Sequence, residues 1–463
     1  MSTGSYWLET VDDGSPPRPP LDGDARVDVA IVGAGFTGLW TAREVLRRDP
    51  AASVLILEAA TAGFGASGRN GAWLTASIAV TPGELARRTS PATVRAITVA
   101  MRDTVDQVLR AADEDGIDAQ ARRGGVLRIA RGVHELPSME RNHATLQRLG
   151  IADGLEVLDA TELAARVRVD DARGAILDPH GAAIHPGRLV RGLARRVEDL
   201  GARIVEHTPA IRIDPAGRGA GTAGPRVVTD RGTVTADAVV LATEAWTSQL
   251  PRHRREVLPL YSLIVLTEPI SDARWADVGW AGHELLSSHR LTVDYLSRTP
   301  DGRILFGGRG APYHLGSRIS PAFDRHGTTH ALLRAQVADW FPALSDVAFS
   351  HAWGGPIAMP RDWLPSITLD PSTGIGRAVG YTGQGVGTSN LAGRVLADLL
   401  VHGDTPFADL PMVGHRPRRW EPEPLRWLGA RYVQGAAARL DARAARSGRA
   451  PGTRGLAQRL LRH

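Results

Sequence analysis

The sequence predicts an α/β fold with a Rossmann-type unit, joined to an α+β region built on antiparallel strands. The first observation is residues 27–58, where an apolar strand, a glycine-rich turn, a helix and a second apolar strand follow one another. The second is residues 257–349, where short strands and turns surround one helix without a glycine-rich phosphate loop. A chain of 463 residues, 43% of them hydrophobic, is long enough for two or three such domains.

The strand–turn–helix unit near the N-terminus carries the pattern of a dinucleotide site. Gly33, Gly35 and Gly38 form G-x-G-x-x-G between the predicted strand and helix. The first glycine permits a tight turn, the second lets a pyrophosphate approach the backbone, and the third lets helix and strand pack closely. The helix N-terminus then faces the phosphates. Glu58 ends the second strand, where a carboxylate accepts hydrogen bonds from a ribose and repels a 2′-phosphate.

The composition excludes several classes of chemistry. Cysteine is absent, which rules out disulfides, cysteine-ligated metals and thiol nucleophiles, and we expect no metal site and a cytoplasmic protein. Lysine is absent as well, so all 55 basic residues are arginine. No apolar run reaches the roughly 18–20 residues of a membrane helix, and we therefore expect no integral membrane segment.

The loop that follows Glu58 carries a family resemblance. Glycines are dense in residues 61–77, and the core of this loop is A-S-G-R-N-G at residues 66–71. This core, directly after a strand that ends in glutamate, resembles the D-amino-acid-oxidase-like (DAO) superfamily of FAD enzymes. Within that superfamily the chain is most similar to amine oxidases of the γ-glutamylputrescine-oxidase type. The resemblance implies a glutathione-reductase-2/DAO-like fold and FAD as cofactor. Non-covalent binding is expected, since cysteine is absent and residues 59–82 contain no histidine.

Later motifs extend the resemblance over most of residues 6–446. They are A-T-E-A-W at 242–246, W-G-G-P at 353–356 and G-Y-T-G-Q-G-V-G at 380–387. In the family, the last motif opens a helix whose N-terminus points at the flavin pyrimidine ring. The residues that the resemblance assigns to FAD binding are Gly33, Ala34, Gly35, Phe36, Thr37, Gly38, Glu58, Ala59, Gly65, Ala66, Ser67, Arg69, Asn70, Gly71, Ile211, Ala242, Thr243, Trp246, Gly355, Gly383, Gln384, Gly385, Val386 and Gly387.

The resemblance also implies how the domains are divided. An FAD-binding domain built from discontinuous segments alternates with an antiparallel-sheet substrate domain. We expect an N-terminal arm at 1–24, FAD-binding segments at 25–120, 187–256 and 351–410, substrate segments at 121–186 and 257–350, and a basic helical tail at 411–463.

Six residues are candidates for contact with the substrate. Tyr261, Arg309 and Tyr313 are polar-tipped residues of the substrate domain. A core or surface role is the alternative for each, and it is preferred for Tyr261 and Arg309. Tyr313 and Gln384 are expected to orient the substrate, and Trp353 to form an apolar wall. His185 precedes a proline and a helix, and it either faces the pocket or is structural.

The implied reaction is oxidation of a C–N bond of a small amine or amino acid to an imine, by hydride transfer to flavin N5. Molecular oxygen is the expected acceptor, with hydrogen peroxide formed. Some relatives place a lysine near the flavin to promote the oxygen reaction; here Arg309 or His185 would have to replace it. Two alternatives remain: a dehydrogenase with another electron acceptor, and a flavoprotein acting on an RNA-linked amine.

Charge placement favours the small-molecule enzyme over nucleic-acid binding, because residues 411–463 hold 12 arginines against three acids while the remainder is slightly acidic. In this tail, apolar residues recur at helical spacing and predict one docked face: Leu425, Leu428, Tyr432, Ala436 and Leu440. The arginines then either cover a packed helix or contact an anionic membrane or partner surface peripherally.

Overall fold

The structure of the chain is a computed structural model that describes residues 1–2, 4–11, 14, 16–217, 224–310, 312–452 and 455, without the side chain of Arg309. Residues 218–223 and most of the end of the basic tail lie outside the described residues.

Strands in this part of the chain form three sheets. In chain order they are β1 Ala25–Val32, β2 Val54–Leu57, β3 Trp73–Thr75, β4 Arg122–Arg123, β5 Val126–Arg131, β6 Glu156–Asp159, β7 Ala172–Asp178, β8 Gly181–Ala183, β9 Arg203–Val205, β10 Arg212–Asp214, β11 Arg226–Val228, β12 Thr233–Leu241, β13 Val257–Thr267, β14 Leu285–Ser288, β15 Asp294–Arg298, β16 Ile304–Arg309, β17 Phe349–Pro360, β18 Ser366–Asp370 and β19 Ile375–Val379.

The α-helices connect these strands and cover the sheets. They are α1 Tyr6–Glu9, α2 Phe36–Arg48, α3 Pro82–Arg88, α4 Pro91–Glu114, α5 Leu136–Leu149, α6 Ala160–Arg166, α7 Pro186–Asp199, α8 Asp272–Val278, α9 Gly327–Trp340, α10 Gly385–Val401 and α11 Leu425–Ser447.

The first sheet has the parallel core of a Rossmann-type domain. Its strands follow the order β10-β11-β12-β1-β2-β9, and β19, which carries β18 on its other side, also pairs with β12. The pairs β12–β1, β1–β2, β2–β9 and β12–β19 are parallel. Such strands are buried on both faces, which explains the continuous apolar run of β1 and β2. The predicted α/β class is confirmed, and three separated stretches of chain supply the sheet.

The second sheet holds the residues that face the first domain. Its order is β17-β13-β16-β15-β14-β5-β7-β6, and its pairs are antiparallel except for the parallel pair β14–β5. One face packs as an apolar core against α9 through Leu333, Val337 and Trp340. A small third sheet, β3-β8-β4, lies apart from both.

The expected boundary at residue 350 falls inside a strand. Strand β17 runs alongside β13 from Phe349 to Pro360, with Gly355 opposite Ser262. Residues 351–360 therefore belong to the second sheet, and the third segment of the first sheet begins with β18. The W-G-G-P motif lies within this strand and pairs with residues of β13, about 90 positions earlier in the sequence.

Candidate active site

The glycine turn after β1 leaves no room for side chains. Gly33 has φ +107°, and a Cβ on it would lie 2.7 Å from the Ala242 carbonyl oxygen. A Cβ on Gly38 would collide with the Gly33 carbonyl oxygen, and one on Gly35 would lie 2.9 Å from Ser67 Oγ. Helix α2 begins directly after this turn. The turn therefore keeps side chains away from the backbone at a helix N-terminus, which fits the close approach of a pyrophosphate.

Glu58 is held at the end of β2 by backbone donors. Its two carboxylate oxygens accept hydrogen bonds from the amides of Ala34 and Ala60, each at 2.9 Å. Burial raises its pKa above the ordinary carboxyl value, with Glu206 adding to that shift. The carboxyl group is thus fixed beside the glycine turn, as a ribose acceptor requires. Ala59, the next residue, is exposed.

The loop after Glu58 is braced from within. Ser67 Oγ accepts a hydrogen bond from the Phe36 amide at 2.8 Å, which ties the loop to the start of α2. The Asn70 side chain donates to the Ser67 carbonyl at 2.8 Å and accepts from the Ala72 amide at 2.9 Å. Arg69 Nη1 lies 2.5 Å from Asp324 Oδ2. These side chains shape the loop, and their contact with FAD stays a prediction.

A second helix N-terminus faces the same region. Gln384 precedes α10, and its Oε1 accepts from Thr75 Oγ1 at 3.0 Å. Glu244 accepts from the amides of Ala358 at 3.1 Å and Gly380 at 3.0 Å, and burial raises its pKa to about 7. The A-T-E-A-W segment is therefore bonded to β17 and to the loop before α10. The aromatic ring of Trp246 lies 3.4 Å from the position of a Cβ on Gly65.

Among the residues assigned to FAD binding, Ile211 has a largely exposed side chain. Ile211 is 53% exposed and precedes the edge strand β10, so its side chain points largely to solvent. Whether it contacts an adenine stays a prediction.

A cavity of about 1540 Å³ begins at these segments and runs along the second sheet. Arg69, Gly71, Gly355 and Gln384 line one end. Apolar side chains of α4 and α5 form one wall, and strands β5, β7 and β14 form another. Residues that line it beyond the FAD segments include Trp73, Val94, Ile97, Met101, Arg128, Glu135, Leu146, Ile176, Ser287 and Tyr295.

Helix α11 forms a wall of this cavity, which the sequence did not predict. Glu423, just before the helix, accepts hydrogen bonds from the Tyr313 hydroxyl at 2.6 Å and the Gly316 amide at 3.0 Å. Asp441 accepts from the amides of Leu291 at 3.0 Å and Thr292 at 2.8 Å. The helix is thereby held at both ends.

The packed face of α11 differs from the predicted one. Leu425, Leu428 and Tyr432 are 61%, 52% and 46% exposed. The buried residues are Arg426, Ala436, Ala437, Asp441 and Ala444. Small alanine side chains let the helix lie close to the sheet, and two charged residues are buried because each has a partner in the body of the protein.

Two tyrosines proposed for substrate contact do not line the cavity. Tyr313 is buried with its hydroxyl bonded to Glu423, and burial raises its pKa to about 12. Tyr261 is buried on the core face, where its hydroxyl accepts from the Ser320 amide at 3.2 Å. Burial also raises the pKa of Tyr261 to about 12. Both hydroxyls are committed to the protein rather than to a ligand.

The remaining candidates are divided between cavity and core. Trp353 is buried, and its Nε1 donates a hydrogen bond to the Arg69 carbonyl at 3.0 Å. It therefore supports the loop that lines the cavity and does not line the cavity itself. Gln384 lines the cavity as expected. Arg309 ends β16 opposite Ser262, and its side chain lies outside the description.

His185 has a structural environment. It caps α7, with Nδ1 accepting from the Arg188 amide at 3.2 Å. Its Nε2 lies 3.3 Å from Thr10 Oγ1, and its ring packs edge-on to Trp7. Burial lowers its pKa to about 4. The N-terminal arm buries Trp7 over this histidine, so of the two interpretations the geometry supports the structural one.

Sequence reasoning missed the cavity residues of the second sheet. Arg128 stands in the apolar strand G-V-L-R-I-A, and Tyr295 and Glu135 also line the cavity. A lone arginine within an apolar strand, at an alternating position, was the available signal.

Comparison with known proteins decides the family. The model of the DAO family, described as FAD dependent oxidoreductase, matches residues 28–399. The chain belongs to this family of FAD-dependent oxidoreductases. The predicted family, its fold and its cofactor are thereby confirmed.

Individual relatives cover nearly the whole chain. The chain is 31% identical to the probable oxidoreductase OrdL of Rhizobium meliloti, over 88% of this chain and 90% of that protein. It is 30% identical to gamma-glutamylputrescine oxidoreductase of Escherichia coli, over 93% and 97%. Glycine oxidase of Geobacillus kaustophilus shares the fold, with a TM-score of 0.65 at 23% identity, covering 84% of this chain and 99% of that chain.

The described residues contain neither a membrane-spanning helix nor a cluster of metal-ligating side chains. None of the helices there is long and apolar enough to cross a bilayer. Within the same residues, no group of three or more histidine, aspartate and glutamate side chains is arranged to hold a metal ion.

Proposed function

We propose that this enzyme oxidises a C–N bond of a small amine or amino acid to an imine, which water then hydrolyses. The proposal rests on the cavity that starts between Gly71 and Gln384, in the segments assigned to FAD, and continues between α4 and strands β5, β7 and β14. When bound, FAD supplies a hydride acceptor at N5 of its isoalloxazine ring. Relatives named gamma-glutamylputrescine oxidoreductase, glycine oxidase and D-amino acid dehydrogenase support the substrate class.

The residues of the chain contribute orientation and a low-dielectric environment. Gln384 is fixed by Thr75, so its side-chain amide presents a set direction to the cavity. The apolar side chains of Val94, Ile97 and Met101 favour the neutral form of an amine, whose lone pair must be available for oxidation. The rate is therefore expected to rise with pH through a pKa of the substrate.

The position of α11 favours a small substrate over a nucleic acid. This helix closes one side of the cavity, with Asp441 bonded across to Thr292. An RNA-linked amine would need an open approach at this wall. A cytoplasmic location remains a prediction from the cysteine-free composition.

Molecular oxygen is the electron acceptor that we propose, with hydrogen peroxide as product. A dehydrogenase is the second candidate, and a specific observation favours it: Arg69, the cation at the flavin end of the cavity, is paired with Asp324. A neutralised pair stabilises forming superoxide less than a lone cation does. His185 cannot substitute, because it is packed beneath Trp7.

An anaerobic screen tests the proposal. Amines and amino acids are mixed with the purified holoenzyme under argon, and loss of visible flavin absorbance is recorded, with the alcohol of equal length as matched control for each amine. Bleaching by an amine but not by its alcohol is expected; no bleaching by any amine would contradict the proposal. Mixing the bleached enzyme with oxygen then separates the two acceptors, since only an oxidase reacts far faster than free reduced flavin.

The outer face of α11 is proposed as a peripheral contact for an anionic lipid surface. Leu428 and Tyr432 share this exposed face with Arg439 and Arg443. Sedimentation with vesicles containing anionic lipid, compared with neutral vesicles, tests it. Equal sedimentation would leave α11 as a cavity wall alone.

A further inference from the structure

Arg128 occupies an unusual position on the second sheet. It lies in the middle of β5, where Leu127 and Ile129 on either side point into the apolar core. Its own side chain points to the opposite face and lines the cavity. An arginine so placed, on a sheet face toward the first domain, needs a reason that packing does not supply.

The guanidinium of Arg128 has no acceptor. Among the described residues, no hydrogen bond and no ion pair involves its side chain. Three other arginines of the cavity are paired: Arg131 with Asp339 at 3.0 Å, Arg361 with Glu421 at 3.1 Å, and Arg69 with Asp324. The side chain of Arg128 is accessible to solvent within the cavity, and the nearest charges that act on it are those of Asp178 and Asp294.

The two acids near Arg128 are committed elsewhere. Asp178 accepts from His180, at 2.9 Å from the amide and 2.8 Å from Nδ1. Asp294 accepts from Ser288, at 2.8 Å from the amide and 2.7 Å from the hydroxyl. Neither acid forms a hydrogen bond or an ion pair with Arg128 in the described part of the chain, so its guanidinium is available to a ligand in the cavity.

Sheet register places Arg128 relative to the flavin end. Arg128 pairs with Ser287 of β14, and the antiparallel register set by Leu286 and Leu296 puts Ser287 opposite Tyr295. The ring of Tyr295 packs against Gly71. Three adjacent strands thus carry Tyr295, Ser287 and Arg128 in one row, and two strand spacings correspond to about 10 Å between the backbones of the outer two.

Apolar side chains surround the guanidinium. Ile176 lies opposite Arg128 on β7, Val126 lies two positions before it on β5, and Ile97 and Met101 of α4 line the same cavity. An unpaired guanidinium beside apolar side chains matches a molecule with a hydrocarbon segment and a terminal anion. The planar fork of arginine fits a carboxylate through two parallel hydrogen bonds.

We propose that Arg128 binds a carboxylate of the substrate, several carbon atoms away from the amine that is oxidised near Gly71 and Gln384. The identity of the reacting amine rests on the proposed function. The anion site at Arg128 does not depend on it. The enzyme would accept an ω-amino acid in preference to a plain alkylamine of the same length.

Binding of a carboxylate that cannot be oxidised tests the anion site alone. Hexanoate is titrated into the holoenzyme by calorimetry, and into Arg128→Gln, Arg128→Lys and the control Arg141→Gln, an exposed arginine of α5. Affinity is expected to fall roughly 10- to 100-fold in Arg128→Gln, less in Arg128→Lys, and not in Arg141→Gln. Equal affinity in all four proteins would overturn the proposal. Should Arg128→Gln fail to fold, Arg128→Lys against wild type decides.

Substrate preference provides the second measurement. Anaerobic bleaching by 6-aminohexanoate is compared with hexylamine and 1,6-diaminohexane. A kcat/KM advantage of 6-aminohexanoate that disappears in Arg128→Gln supports the proposal; no advantage in the wild type overturns the substrate assignment. If no amine bleaches the flavin but hexanoate binding still depends on Arg128, the proposed function fails and the anion site stands.

Discussion

The hydroxyl groups of Thr37 and Tyr381 lie 2.8 Å apart, although 344 positions separate the two residues in sequence. Thr37 stands in the first turn of α2, and Tyr381 stands in the loop that leads into α10. Both are buried, at 6% and 4% exposure. This hydrogen bond joins the two helix N-termini that we expect to face FAD, so the first and last segments of the domain are fixed relative to each other.

A double-mutant cycle measures this bond. Tyr381→Phe and Thr37→Val each remove one hydroxyl, and each is expected to destabilise the protein by about 1–2 kcal/mol, because the other hydroxyl is left without its partner. The double variant should cost less than the sum of the two, by roughly 1 kcal/mol. Denaturant unfolding in excess FAD provides the values; strictly additive effects would show that the hydroxyls do not interact.

Glu58 is expected to control FAD affinity. In Glu58→Arg the ribose acceptor is lost, and a cation faces the amides of Ala34 and Ala60 that now donate to the carboxylate. We expect FAD affinity to fall by at least about 100-fold, consistent with loss of hydrogen bonds to a charged group. Fluorescence titration of the apoprotein with FAD measures this, with exposed Asp237→Asn as control. Unchanged FAD affinity in Glu58→Arg would show that the Glu58 carboxylate does not contact FAD.

Gly393 sets the distance between α10 and α2. A Cβ on it would lie 2.6 Å from the Cβ of Trp40, which is fully buried. Gly393→Ala is therefore expected to destabilise the protein by about 1–3 kcal/mol through overpacking. Gly429→Ala in α11 is the matched control, because a Cβ there meets no atom within 4 Å. The comparison requires thermal unfolding of the two variants, and equal melting temperatures would refute the close crossing.

Glu135 is expected to make stability depend on pH. Burial raises its pKa to about 7 from 4.5. Between these values the folded state keeps a proton that the unfolded state releases, so stability is full below pH 4.5 and falls as pH rises to 7. The loss amounts to about 3 kcal/mol.

The variant Glu135→Gln removes this titration. Its side-chain oxygen still accepts from the amides of Arg131 and His289, as the carboxylate does. Its stability relative to wild type should increase from pH 5 to pH 7 and stay constant above pH 8. Denaturation midpoints across this range test it, with exposed Glu140→Gln on the same helix as control. A difference between Glu135→Gln and wild type that does not change with pH would contradict the assigned pKa.

Local patterns were sufficient for the Rossmann-type unit. The glycine positions, the strand before them and Glu58 follow from sterics and hydrogen bonding within about 30 residues, and the structure has them as expected. The helical tail was also predicted as a helix. Its packed face was not, because the hydrophobic-stripe rule assigns Leu425, Leu428 and Tyr432 to the interior, whereas Asp441 and small alanines make the contact.

The features of the site that the sequence did not predict depend on contacts between residues far apart in the chain. Tyr313 had the features of a substrate contact, but Glu423, 110 residues further along the chain, takes its hydroxyl. Arg128 was overlooked because its strand resembles any buried strand until its neighbours in the sheet are known. Both cases depend on which strand or helix lies opposite, and single-sequence patterns contain little information on that.

The most direct test of the account concerns the cofactor itself. The three chain segments that meet around Glu58, Ser67 and Gln384 are expected to form one non-covalent FAD site. The purified protein is precipitated with acid, and the flavin in the supernatant is separated and quantified by chromatography. We predict about one FAD per chain in the supernatant and a colourless pellet. A pellet that stays yellow, FMN in place of FAD, or a protein that binds no flavin when FAD is added would contradict it.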